Sequence, residues 1–248
     1  MILLKLGGSI ITDKNRPITV RRKVVDNLGK TISKISEPVI IIHGGGSFGH
    51  YWSVKYNMHT KPSTTKSIGV ARVRESMISL NDTITKSFIK SKLPIYSIPP
   101  SVFMIGNKPI VSKIKEILQY TPKMIPMTYG DALLYDKNRY YILSGDVIMS
   151  IFAKILKPRL VIFTTNVDGL YSDLKTKKIF SVVKNDTKGI ITDNPKDVTG
   201  GMVRKVAEAK KISKMKYDTF FINGNKPQRI LDVINGKKFV GTKFEGKK

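Results

Sequence analysis

The chain has 248 residues, 41% of them hydrophobic, with no cysteine and a formal net charge of +26 from 44 basic and 18 acidic side chains. This length and composition suit a globular protein with a sizeable buried core, and the lack of cysteine excludes disulfides and thiolate metal sites. No apolar run in the sequence approaches the roughly 20 residues of a membrane span, so a cytoplasmic protein is expected; the charge fits a lysine-rich solvated surface or an anionic partner, whether nucleic acid, membrane surface or a phosphorylated small molecule.

The N-terminal MILLKLGGSIITDK has no basic leader and no small-residue cleavage site. It reads as a first strand over 2–6 followed by a tight Gly7-Gly8-Ser9 loop, not as a signal peptide. Residues 18–35 carry apolar positions at helical spacing, 37–43 form a second buried strand, and 68–92 again read as helix. The stretch 51–67, with HTKPSTTKS, is the most loop-like of the chain. A strand over 93–100 is stopped by two prolines. A hairpin is predicted around Asp136-Lys137-Asn138, then a helix from Asp146, a strand over 159–171, a helix over 197–216, a strand over 217–224 and a short strand near Phe239. Apolar strands alternating with helices predict an α/β fold with a mostly parallel sheet covered on both faces. Ligands of such sheets collect at the carboxyl ends of the strands. The unusual loops, after Leu6, Ile42 and Thr165, around Ser144 and after Ile222, all fall there. No repeat, low-complexity tract or linker divides the chain, so residues 1–248 are expected as a single domain.

The loop GGGSFG at 44–49 fits G-x-G-x-x-G after a strand. The acidic residue that holds a ribose in dinucleotide-binding folds should follow about 20 residues later, and no Asp or Glu occurs from Pro38 to Arg74. GKT at 29–31 lacks the earlier glycine of a P-loop, since Val24 stands in its place. What remains is a glycine loop whose bare backbone N–H groups suit an anion, or else a tight strand-to-helix turn. The three histidines, His43, His50 and His59, all lie at or after this loop. His43 ends an apolar strand and reads as structural, and His59 as a surface residue. His50, one residue past the last glycine, is placed to face a bound phosphate.

KLGGS (5–9), HGGGSFGH (43–50), SGD (144–146), TNVDGLY (165–171) and DVTGGMVRK (197–205) occur in the order of the amino acid kinase superfamily, which the chain resembles over almost its whole length. HGGGSFGH, with its closing histidine, resembles the isopentenyl phosphate kinase branch. The resemblance implies a three-layer αβα sandwich of the amino acid kinase type, with an acceptor lobe over about 1–157 and a nucleotide lobe over about 158–248. It implies ATP-dependent phosphorylation of isopentenyl phosphate in isoprenoid biosynthesis, with Mg²⁺ carried on the ATP phosphates, in a homodimer that binds neither nucleic acid nor membrane. In that reading Lys5, Gly7, Gly8 and Ser9 cradle the transferred group, and Lys14 neutralises its charge. Gly45, His50 and Gly145 hold the acceptor, and Gly46 faces the nucleotide. Asp146 orients the lysines. Asp168 and Tyr171 belong to the nucleotide pocket, while Gly201 and Lys205 approach the ATP phosphates. No metal ligand comes from a protein side chain. Position 166 is Asn where related sequences often carry Asp.

The chemistry is consistent with this. A phosphate nucleophile is already anionic at neutral pH, so the transfer needs alignment and fixed cations rather than a general base. Asp146 and Asp168 also suit a helix cap or a turn. Val70, Val73, Met77 and Ile142 are candidates for an apolar pocket around the acceptor's tail, and their spacing equally serves core packing. Two other readings stay open: another small-molecule kinase of the superfamily, acting on a phosphonate, amino acid, carbamate or nucleoside monophosphate, and a basic nucleic-acid-binding protein.

Overall fold

Five consecutive buried residues, Ile2–Leu6, make the strand on which the sheet is centred. The computed structural model describes every residue except 59, 122, 174, 185–186, 188–200 and 247–248. Along the chain run β1 (Ile2–Leu6), the single turn α1 (Gly8–Ile11), α2 (Arg22–Ile32), β2 (Val39–His43), α3 (Gly46–Lys55), α4 (Ser67–Lys90) and β3 (Ile95–Ser97). A small hairpin of β4 (Met104–Ile105) and β5 (Lys108–Pro109) leads through α5 (Val111–Glu116) to β6 (Ile125–Tyr129). The hairpin of β7 (Asp131–Leu134) and β8 (Tyr140–Leu143) follows, then α6 (Gly145–Leu156) and β9 (Leu160–Thr165). The chain continues through β10 (Tyr171–Asp173), β11 (Lys178–Ile179), β12 (Val182–Val183), α7 (Gly201–Lys214), β13 (Thr219–Asn223), α8 (Gln228–Ile234) and β14 (Gly241–Phe244).

Eight strands form one sheet in the order β12-β14-β13-β9-β1-β2-β6-β3, parallel except where β13 meets β14. Alternation along each strand divides the core in two. Ile2, Leu4, Leu6, Ile41, Ile162 and Ile222 pack with α2, α4 and α8 on one face. Leu3, Ile40, Ile42, Val161, Phe163 and Phe221 pack with α5, α6 and α7 on the other. With both faces covered, the central strands are apolar almost throughout, as parallel strands are. The fold is the expected αβα sandwich. Strands from residues before 158 make the β1-β2-β6-β3 half and later strands the other half, so the seam runs between β1 and β9.

Two local expectations shift. Residues 51–55 are not loop but the second half of α3. The rings of Trp52 and Tyr56 stack there with centroids 6.1 Å apart, and the Lys55 ammonium lies 5.1 Å from the Trp52 ring, neighbour contacts that favour helix over turn. The predicted strand over 159–171 ends at Thr165, and a separate β10 begins at Tyr171. His59 and residues 197–200 lie outside the described residues, and α7 is described from Gly201. Among the described residues no helix is long and apolar enough to cross a membrane.

Candidate active site

Because the central strands are parallel, β1, β2, β6, β9 and β13 all end on one edge of the sheet. On β1 the alternation points Lys5 the same way as Leu3, toward α6, and its side chain is almost fully buried. A buried ammonium is costly unless paired. Its partner is Asp146 in the first turn of α6, with Lys5 Nζ 2.9 Å from Oδ1. Lys205 Nζ, from the first turns of α7, reaches the other carboxylate oxygen at 3.5 Å and also donates to the Gly201 carbonyl at 3.2 Å. Burial pushes the Lys5 ammonium down to about 8; Asp146 opposes the shift, and Lys205 and Arg204 add to it. Burial alone would raise the Asp146 carboxyl, but Lys5, Lys205 and Arg204 together hold it below its usual value. Ser144, not Asp146, caps α6: its Oγ accepts the Val147 N–H at 3.3 Å. Asp146 is thereby left to the two lysines.

The two glycine loops meet backbone to backbone beside this pair. A Cβ on Gly8 would stand 2.3 Å from the Gly46 nitrogen. Gly46 has φ +50°, and a Cβ there would stand 1.9 Å from Thr12 Oγ1. Both glycines are therefore demanded by the contact itself. Thr12 locks it: its hydroxyl donates to the Gly8 carbonyl at 2.8 Å and accepts the Ser47 N–H at 2.9 Å. Across the seam, Thr164 Oγ1 accepts the Gly7 N–H at 3.1 Å and donates to the Lys5 carbonyl at 3.0 Å. Gly145 is as confined, since a Cβ on it would lie 3.2 Å from Lys5 Cε. Lys5, Gly7, Gly8, Ser9, Gly46, Gly145, Asp146, Gly201 and Lys205 thus share one corner, where the N-termini of α3, α6 and α7 present N–H groups that no helical carbonyl can accept.

Gly45 faces the other way. A Cβ on it would sit 3.0 Å from Met77 Sδ of α4. Met77, Val73 and Val70 are buried along α4, and Ile142 of β8 packs on the same apolar cluster, so the tail candidates do converge next to the glycine loop. His50 is exposed in the second turn of α3. Lys14 is exposed in the bend after α1. His43 is fully buried, between the Gly44 carbonyl (3.1 Å from Nδ1) and Asn81 Oδ1 (3.3 Å from Nε2), and it stacks on Tyr129. Burial lowers its pKa to about 4, so the ring is neutral and structural.

Asp168 stands in a separate group. Its Oδ1 accepts from Asn223 Nδ2 at 2.9 Å and Arg229 Nη1 at 2.6 Å, and Lys226 Nζ lies 3.6 Å from Oδ2. The Asn223 hydrogen bond, then Arg229, keeps its carboxyl below the ordinary value. Tyr171 is half-buried on β10, paired with Ile179 of β11. Asn223, Arg229, Thr12, Thr164 and Arg204 escape the sequence reading, although the buried polar pair Thr164-Thr165 at a strand end is a visible signal. So does Asp131, which repeats the Gly-Asp of the SGD loop. Asp131 is buried, its Oδ1 accepts the Ala132 N–H at 2.8 Å, and Arg74 Nη1 of α4 lies 3.1 Å from Oδ2. Burial pushes its carboxyl up to about 6, against the pull of Arg74 and the Ala132 N–H. Among the described residues no group of three or more His, Cys, Asp or Glu side chains is placed to hold a metal ion.

The profile of the amino acid kinase family matches residues 1–223. The chain is 34% identical to an isopentenyl phosphate kinase of Thermoplasma acidophilum, over 98% of this chain and 99% of that one. It is 34% identical to the isopentenyl phosphate kinase of Methanocaldococcus jannaschii, over 96% of each. A crystal structure of an isopentenyl phosphate kinase substrate complex superposes with a TM-score of 0.84 at 29% identity, over 99% of this chain and 100% of that one.

The native value of Asp131, about 6, lies above the ordinary 3.8. Its contribution to stability is therefore complete below pH 3.8 and is lost as pH rises through about 6. Denaturant titrations should show Asp131→Asn gaining on the wild type by about 2 kcal/mol between about pH 4.5 and 7.5. A gap that does not change with pH contradicts this assignment.

Proposed function

The chain belongs to the amino acid kinase family, and from that we propose that it transfers the γ-phosphoryl group of ATP to isopentenyl phosphate, giving ADP and isopentenyl diphosphate. The observation that carries this reading is the buried Lys5–Asp146–Lys205 group set where two glycine loops touch, with His50 one helical turn beyond. An oxygen of the acceptor's phosphate attacks the γ-phosphorus, and the bond from that phosphorus to the β–γ bridging oxygen breaks. The nucleophile carries its charge already, since a phosphate monoester's second pKa is near 6. The protein's task is to hold two anions together and stabilise the charge spread over the transferred group.

Lys5 and Lys205 supply that charge, and Asp146 fixes their spacing. Lys14 adds a further cation from the bend after α1. Gly7, Gly8 and Ser9 present backbone to the transferred group, with Gly46 on the nucleotide side of the same corner. Gly45, Gly145 and His50 hold the acceptor phosphate, and its apolar tail lies toward Val70, Val73, Met77 and Ile142. Gly201 marks the α7 end that meets the ATP phosphates, while Asp168 and Tyr171 flank the nucleoside. Among the described residues the corner's one carboxylate, Asp146, is taken by two lysines, which fits Mg²⁺ arriving on the ATP phosphates, where it screens their charge.

ADP release with ATP and Mg²⁺ should be fast with isopentenyl phosphate and slow with fosfomycin, glutamate, carbamate and UMP. His50→Ala should cut kcat/KM for isopentenyl phosphate by about 10²–10³ while leaving KM for ATP near its original value. Preference for another acceptor, or indifference to the substitution, contradicts the assignment. The pH profile offers a second check. In the free enzyme Lys5 loses its proton above about pH 8. So kcat/KM for ATP should fall about tenfold per pH unit beyond that point, and kcat, measured with the phosphates bound, should fall later. A profile of kcat/KM flat to about pH 10 would rule out a protonated Lys5 as a working cation.

A further inference from the structure

The mechanism leaves unused an ion pair between a half-buried arginine and a buried carboxylate, and it sits at the edge of the apolar cluster where the acceptor's tail is placed. Arg74 is four residues after Val70 and three before Met77 on α4, so it shares their side of the helix. Its Nη1 lies 3.1 Å from Asp131 Oδ2 and donates to the Ala132 carbonyl at 3.1 Å. Asp131 and Ala132 are the first two residues of β7. In the hairpin ladder Asp131 pairs with Leu143 and Ala132 with Ile142. Ala132 is fully buried in the same cluster as Val70, Val73 and Met77. One guanidinium therefore ties the helix that carries three tail candidates to the hairpin rung that carries the fourth. The rung also runs into the site, because Leu143 is followed by Ser144 and Gly145, and a Cβ on Gly130 would lie 3.0 Å from the Gly145 nitrogen. The groups facing Asp131 are Arg74 from α4 and the Tyr129 hydroxyl, whose pKa burial and Asp131 push up to about 12. Both contacts come from the one nitrogen, Nη1, so a lysine ammonium on its different stem would restore the tie only in part.

We propose that Arg74, through Asp131 and the Ala132 carbonyl, is a positioning residue that fixes the width of the slot between α4 and the β7–β8 hairpin and thereby selects short-tailed prenyl phosphates. This rests on the acceptor reading given above. Arg74 touches no reacting atom, so its loss changes the fit of the tail rather than the charge at the phosphorus. Arg74→Met keeps the side chain's apolar stem but leaves Asp131 without its partner, whereas Arg74→Met with Asp131→Asn removes both charges and keeps the fold from carrying an unpaired one.

The test measures kcat and KM for isopentenyl phosphate and for the ten-carbon geranyl phosphate in the wild type, both of these variants and Arg74→Lys. Amide hydrogen exchange over residues 131–143 is followed in parallel. The ratio of kcat/KM for the five-carbon over the ten-carbon acceptor should fall about tenfold or more in the single and double variants, since small misplacements remote from the chemistry have effects of this order. The fall should come through KM for the acceptor, with KM for ATP unchanged and exchange over 131–143 faster. Arg74→Lys should recover part of the ratio. A ratio unchanged in a folded variant overturns the inference, whatever the exchange shows. A wild type that phosphorylates neither acceptor overturns the functional reading itself, and the inference with it.

Discussion

A lysine ammonium inside a parallel sheet is the constraint on which the rest of this site depends. Lys5 occupies a strand position that the alternation of β1 sends into the core, where an apolar residue would pack at no electrostatic cost. Keeping it there requires an anion within direct reach, and Asp146 is that anion. Asp146 is in turn free for this task because Ser144 takes the capping role at the start of α6. Lys205 from α7 closes the group. Three elements from distant parts of the chain are thus pinned by one carboxylate. The arrangement holds two cations against one anion, so it has a net affinity for further negative charge, and the phosphates of a kinase substrate supply it.

The glycine loops are constrained by a different force, excluded volume. Gly8 and Gly46 come so close that neither tolerates a Cβ, and Thr12 ties them with two hydrogen bonds. The loops are therefore bare toward each other as well as toward a ligand. Their contact sets the distance between the turn after β1 and the N-terminus of α3, and with it the distance between Lys5 and His50. Such backbone-to-backbone contacts leave little room for adjustment, which suits a reaction whose rate depends on alignment.

Much of this is legible in the chain itself. The strands show as apolar runs, the helices as apolar spacing, and Lys5 stands out because it interrupts an apolar strand just before Gly-Gly. The assignment of His43 follows from its immediate neighbours, and it is a buried structural ring. Pairing between distant residues is not legible, because neither periodicity nor local composition encodes it. The Gly7–Thr164 bond spans 157 residues and the Arg74–Ala132 bond 58. Each partner is an ordinary residue in its own segment. Asp146 and Asp168 likewise look alike in sequence, each next to a glycine and at the end of a strand-like stretch. Only their surroundings separate them, two lysines in a buried corner for one and Asn223 with Arg229 for the other. The α3 helix was hidden for a related reason: ring stacking within the segment outweighs its turn-like composition.

The central claim is that Asp146 organises the cations that carry the transfer. The direct test is steady-state turnover of ATP and isopentenyl phosphate by Asp146→Asn, with nucleotide affinity measured separately by calorimetry. The variant keeps the side chain's shape and removes its charge. On this account kcat falls by about 10²–10³, because Lys5 and Lys205 lose their common anchor, while ATP still binds within a few fold of the wild type. A variant that turns over within about threefold of the wild type would show that the lysines need no such anchor, and the account of the site would fail.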